Sequence, residues 1–295
     1  MDRRLQDLIA STGELPALPS TTARLLQLLD DDTVGAGEVL DVIGRDPALT
    51  ANLLKLCNSA YYGLRRQVGT VHEALVLLGN SAVISLAFAT SLGDVLRGPL
   101  AGYRLERDAL WRHALAVGIG AAHLLEAAGS RDRRERAFTG GLVHDIGKLV
   151  LNRPLKAKLQ QLPPEGDFQV MLDGERAVLG FDHAEAGRAL AEAWNFPPAL
   201  AGVIGAHHDD AGGTVAARSP DTELSSKTDL PLLRAVQAAN LVASRAGLGA
   251  GTRHDQDQWR AGLAALAVDE AVAIALQARL PGDVSALCEA LGGRR

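Results

Sequence analysis

Aromatic side chains make up only 4% of these 295 residues, and cysteine occurs just twice. The shortage of rings means that any core is built from aliphatic side chains. Two cysteines, Cys57 and Cys288, exclude a disulfide framework and a CxxC redox or metal site. They are expected to serve as ordinary packing, with reduced thiols in a cytoplasmic setting. A basic stripe is missing as well. The net charge is -5, and the densest cationic cluster, Arg131 to Arg136, is interrupted by Asp132 and Glu135. This argues against nucleic acid as a partner. No long apolar run is present either. The longest uncharged stretch, Ala74 to Gly93, is interrupted by Gly79-Asn80-Ser81 and suits two helices better than a membrane span. Met1-Asp2-Arg3-Arg4-Leu5 leads into no apolar signal core. Alternation of period two is absent over the first hundred residues, which excludes a sheet there.

What the chain does have is 47% hydrophobic residues, mostly Leu, Ala and Val. That composition favours packed helices, and the expected fold is all-α. Ser20 is placed to cap a first helix carrying Leu25, Leu26, Leu28 and Leu29. Gly35 and Gly37 break the chain. Asp46-Pro47 reads as an N-cap followed by proline at the first helical position. Thr70 and Glu73 have the spacing of a capping box, and Gly79 closes that helix before another runs from Asn80 to about Leu96. Gly98-Pro99 marks a boundary, so residues 1–100 are read as an N-terminal helical subdomain and 101–295 as a second one. The second contains predicted helices at about 106–128, 133–150, 183–194, 197–207 and 230–246, then a final helical region. Loops are expected at 162–167, 209–229 and 247–257.

Chemistry concentrates at His144-Asp145-Ile146-Gly147-Lys148. An imidazole offers a neutral nitrogen ligand, and a neighbouring carboxylate offers an oxygen able to bridge two cations. On a continuous helix, Lys148 would lie on the face of His144 and could meet a phosphate. Adjacent His-Asp pairs of this kind recur in metal-dependent phosphohydrolases.

Several ordered blocks in the first half carry a more specific likeness. They are Leu15-Pro16-Ala17-Leu18-Pro19, Ile43-Gly44-Arg45-Asp46-Pro47-Ala48-Leu49, Leu56-Cys57-Asn58-Ser59-Ala60-Tyr61-Tyr62-Gly63 and Ala74-Leu75-Val76-Leu77-Leu78-Gly79. In these blocks, over residues 10 to 210, the chain resembles the HDOD family of bacterial signalling proteins. The resemblance implies an N-terminal helical subdomain packed on an HD-like helical bundle, related to the HD and HD-GYP phosphohydrolases. It also implies a regulatory, non-catalytic module, because family members have generally lost metal ligands.

Carried over residue by residue, the HD-GYP metal pattern falls on His113, His144, Asp145, His183, His207 and His208, with Asn240 where the pattern has Asp. One arrangement gives a first metal to His113, His144 and Asp145, and a second to His183, His207 and His208, with Asp145 bridging. Fe, Mn, Zn and Ni all tolerate such ligands. Asn240 removes an anionic charge and predicts weaker occupancy at the first position. The phosphodiesterase relatives follow their His-His pair with Gly-Tyr-Pro; here His207-His208 is followed by Asp209-Asp210, whose charge would repel a phosphate. The alternative to a metal centre is a polar cluster held by hydrogen bonds and water.

His72, His123 and His254 match no motif and are expected in surface or packing roles. Asp182 is expected to cap a helix with Glu185 as its partner. Asn58 and Ser59 are expected to form a hydrogen-bonding device at a helix end. The functional expectation is a signalling module acting through a regulatory protein partner. A metal-dependent phosphohydrolase of nucleotides or cyclic dinucleotides, with Lys148 as phosphate contact, is the alternative, and a nucleotide sensor is a third reading. The oligomeric state is left open.

Overall fold

The computed structural model of the chain describes residues 5, 8–9, 18–31, 33–161, 166–209, 229–249, 252–253 and 256–291. Helix follows helix through them, as the composition demands. The N-terminal half holds α1 (Ser20–Asp30), α2 (Ala36–Gly44), α3 (Pro47–Cys57), α4 (Val71–Leu78) and α5 (Asn80–Leu96). Asp46 caps α3 by accepting from the amides of Ala48 and Leu49, both at 3.0 Å. Asn58 then ties the end of α3 to the following loop. Its side-chain amide donates to the carbonyls of Leu54 and Val68, and its oxygen accepts from the Val68 amide at 2.7 Å. Thr70 accepts from the Glu73 amide, but the Glu73 carboxylate reaches back to the Gly69 amide, one residue beyond the box position.

A 3-10 turn at Ala101–Tyr103 leads into α6 (Ala109–Ala127). There follow α7 (Arg134–Val143), α8 (Gly147–Ala157), α9 (Phe168–Leu179), α10 (His183–Ala193) and α11 (Pro198–Ala206). The chain closes with α12 (Asp229–Arg245), α13 (Gln256–Ala265) and α14 (Glu270–Ala290). A parallel pairing of Gly166–Asp167 with Thr252–Arg253 is two residues long and leaves the class all-α. One buried apolar cluster runs from Leu5 to Cys288. Its axis is α5, packed on α1, α3 and α7, and α6, packed on α7, α12 and α14.

Three local expectations change. Ser20 is the first residue of α1, whose N-cap is Pro19, with no side-chain cap. Gly37 lies inside α2 rather than breaking the chain, and Gly35 holds the cap position. The single helix expected over 133–150 is two helices. Between them the hydrogen bonds tighten to i+3 spacing, Ile146 to Val143 at 3.1 Å and Lys148 to Asp145 at 3.0 Å. Residues 15–17, 162–165, 210–228 and 254, on which parts of the motif, loop and histidine readings fall, lie outside the described residues.

Two glycines set the spacing of the bundle. A Cβ on Gly141 would stand 2.5 Å from the Gly118 amide nitrogen, so α6 and α7 touch backbone to backbone. A Cβ on Gly147 would stand 1.8 Å from the His183 carbonyl oxygen, so the start of α8 lies against the start of α10. Among the described residues no single helix is long and apolar enough to cross a membrane.

Candidate metal centre

Six side chains that the sequence spreads over almost a hundred residues meet at one place. His113 projects from α6, His144 and Asp145 from the turn between α7 and α8, His183 from the first position of α10, and His207 and His208 from the turn after α11. Exposure is 3% or less for His113, His144, Asp145, His183 and His207, and His208 is the half-buried member.

The partners of the rings fix their tautomers. The Nδ1 of His113 donates to the Leu248 carbonyl at 2.8 Å, that of His144 to Gly141 at 2.7 Å, and that of His207 to Ile204 at 2.7 Å. A carbonyl oxygen only accepts, so each Nδ1 carries the proton and each Nε2 presents a lone pair. All these Nε2 atoms turn toward Asp145. Its Oδ2 lies 3.4 Å from His113 and 3.5 Å from His144, and its Oδ1 lies 3.2 Å from His183 and 3.5 Å from His207. His208 closes the ring, with its Nε2 at 2.9 Å from that of His183.

Lone pairs facing a carboxylate repel one another unless a cation lies between them. The Nε2 atoms of His144 and His207 and the Oδ1 of Asp145 are buried without a hydrogen-bond partner, an uncommon condition for polar atoms in a folded interior. The donor atoms fall into two groups in which all lie within 4.8 Å of one another: His113, His144 and Asp145, and Asp145, His183, His207 and His208. This buried cluster could hold a metal ion, and its chemistry of imidazole and carboxylate fits a divalent transition metal.

The titration behaviour agrees. Burial presses His113 down to about 4 and holds His144 and His208 well below the ordinary imidazole value, so these rings are neutral and able to ligate. Burial acts against a charge on His183 too, but the carboxylates of Glu175 and Asp145 outweigh it and lift this ring to about 9. Burial would raise Asp145; the Lys148 ammonium and the neighbouring His144 overcome that and hold its carboxyl well below the usual range.

The HDOD domain model matches residues 15–210. The chain belongs to the HDOD family. A curated but uncharacterised protein of Treponema pallidum (strain Nichols) is 29% identical over 200 residues, which is 66% of this chain and 38% of that relative. The chain therefore spans well under half of the curated relative it matches. Among solved structures, an HDOD domain protein of unknown function from Geobacter sulfurreducens superposes with a TM-score of 0.77 at 22% identity, covering 97% of both chains. A protein from Shewanella amazonensis SB2B, provisionally named a phosphohydrolase, gives 0.68 at 24% identity over 98% of both. A protein from Marinobacter aquaeolei VT8, provisionally named for signal transduction, gives 0.71 at 22% identity over 98% of this chain and 64% of that one. At these identities the likeness is one of fold.

Within this HDOD centre, Lys148 is paired with Asp145. It is 3% exposed and donates to Asp145 Oδ2 at 2.6 Å, with its ammonium 5.8 Å from the Tyr103 ring centre. Asn240 lies on α12 with its Oδ1 buried and unpartnered. One turn earlier on the same helix, the Gln237 amide donates to the carbonyls of Ala206 at 3.1 Å and Asp209 at 2.8 Å, pinning the backbone on either side of the His207-His208 pair.

Sequence reasoning passed over Glu175. This carboxylate is wholly buried, accepts from the His183 amide at 2.7 Å, and accepts from its Nδ1 at 2.8 Å. A carboxyl group behind a ligating histidine orients the ring and raises its basicity. The available signal was an acid eight residues ahead of the helix-start histidine, but it stands between Asp173 and Arg176 and no spacing rule singles it out. The Asp182 cap is as expected, complete with its Glu185 partner, and Asp182 also meets the Arg176 guanidinium.

Proposed function

We propose that this HDOD chain is a regulatory signal-transduction module that binds a divalent metal in its buried His/Asp centre and acts through a protein partner without efficient hydrolysis. The observation that carries this reading is the deep burial of most of the ligand set. Five of its side chains are 3% exposed or less, which suits a structural or sensing cation better than one that must meet a phosphate ester. Two features support it further. Asn240 replaces the last acidic ligand of the phosphodiesterase pattern, and Lys148 is engaged by Asp145 rather than held toward a ligand.

His113, His144, His183, His207, His208 and Asp145 are the residues that would hold the metal, with Fe, Mn, Zn or Ni all suited to the donor set. A bound divalent cation supplies Lewis acidity and lowers the pKa of water. The chain's own residues orient the rings by their Nδ1 bonds and exclude bulk water by burial. A metal-dependent phosphohydrolase of nucleotides or cyclic dinucleotides is the second reading. It is favoured by the placing of imidazoles on both oxygens of Asp145, an arrangement suited to a bridging carboxylate.

The deciding experiment measures metal content of untagged protein by elemental analysis, then phosphodiesterase turnover with Mn, Fe or Ni supplied. The regulatory reading expects bound metal and no turnover. Turnover that disappears in Asp145→Ala would establish the hydrolase instead.

A further inference from the structure

The two halves of the centre are built differently behind their ligands. His113, His144 and His207 each lean on a backbone carbonyl, a neutral acceptor. His183 instead leans on a carboxylate, and Glu175 grips both its ring and its backbone amide. The half made of His183, His207, His208 and Asp145 Oδ1 offers four donor atoms, the number that a tetrahedral shell takes. The other half offers His113, His144 and Asp145 Oδ2, and that oxygen already accepts from the Lys148 ammonium at 2.6 Å. A divalent cation placed there would meet a like charge within the same hydrogen-bonding radius. The residue that could add a donor on that side by the family pattern, Asn240, is uncharged.

We infer that the centre is asymmetric by construction. Glu175 is a positioning residue that makes the His183 half take one divalent cation tightly, and Lys148 is an internal cation that keeps the His113 half from taking a second. This rests on the reading of the cluster as a metal centre. It adds that the protein holds one metal per chain, and names the two residues, neither a ligand, that set this number.

Zinc alone, titrated by calorimetry into the metal-stripped, untagged full chain, tests it, with bound zinc counted by elemental analysis. Wild type should bind one zinc per chain. Lys148→Met should bind two. If Lys148→Met does not fold, Lys148→Gln, which keeps a donor to Asp145 but drops the charge, should also bind two. Glu175→Gln should bind its one zinc about 10- to 100-fold more weakly, the range for loss of a partner behind a ligating histidine. In the double variant Lys148→Met/Glu175→Gln only one of the two sites should weaken, whereas general loss of structure would weaken both. Two tight zinc ions in wild type, a single zinc in both Lys148 variants, or unchanged affinity in Glu175→Gln would overturn the asymmetry while leaving the metal centre standing. No zinc in any form would overturn the metal reading itself.

Discussion

His183 and its neighbours show how single side chains set the pH response of the centre. In the metal-free protein His113, His144 and His208 are held neutral by burial, so the unfolded chain binds more protons than the folded one as pH falls below the ordinary imidazole value. Stability from these groups is present above about 6.5 and is lost toward about 4, the value of His113. His183 has the opposite sign. Its raised value of about 9 gives stability that is full below about 6.5 and lost as pH rises through 9. The metal-free protein should therefore be most stable near pH 6.5 and weaken on both sides, as measured by denaturant unfolding from pH 4 to 9. A saturating cation should flatten the alkaline limb, because it takes the place of the Nε2 proton on His183. A curve that keeps rising to pH 9 without metal would contradict the assigned roles. Gly147 offers a second test at this scale. A methyl group there has no room against the His183 carbonyl, so Gly147→Ala should cost about 3 kcal/mol or more and weaken metal binding by shifting His183. Thermal unfolding and metal titration read the two effects separately.

At the scale of helices, the legible features were those with local causes. Asp46-Pro47 and Asp182 with Glu185 mark helix starts because a side-chain oxygen satisfies amides two or three residues on, and the structure shows both caps. The family blocks likewise identified the class of fold, and the HD-GYP pattern carried over onto this chain named the six residues that converge. What sequence could not show were features with distant causes. The helix break at His144-Asp145 contains no proline, and the close seat of α8 on α10 that accompanies it is a tertiary contact. Lys148 then bonds Asp145 three residues back. Glu175 acquires its role only because α9 lies beside the first turn of α10. Gln237 is similar, an unremarked amide on an apolar helix until α12 meets the turn after α11. Removing it in Gln237→Ala would take the side-chain donor from the carbonyls of Ala206 and Asp209, the first of which still accepts from the Asp209 amide. It should cost about 1 to 3 kcal/mol and reduce metal affinity, while a conservative Gln237→Glu should not restore the lost donor bonds. Equal metal affinity in wild type and Gln237→Ala would show that the His207-His208 turn holds its shape without this clamp.

Considered as a whole, the molecule is one apolar cluster with a polar knot inside it. The cluster crosses the proposed boundary near residue 100, joining α5 to α7 and α14 to α3. Cooperative unfolding should follow. Tryptophan fluorescence from Trp111 and Trp259, both buried, and far-ultraviolet circular dichroism should give coincident transitions. Two separated transitions would show that the halves fold independently. The knot is costly without a cation, since several buried lone pairs then lack partners, and it becomes a source of stability with one. Anomalous diffraction at the metal absorption edge, from crystals of untagged protein grown with the metal it carries from the cell, tests that reversal most directly. A single strong peak is expected among the Nε2 atoms of His183, His207 and His208 and the Oδ1 of Asp145. A fully ordered cluster with no peak there, its imidazoles linked by water alone, would contradict it.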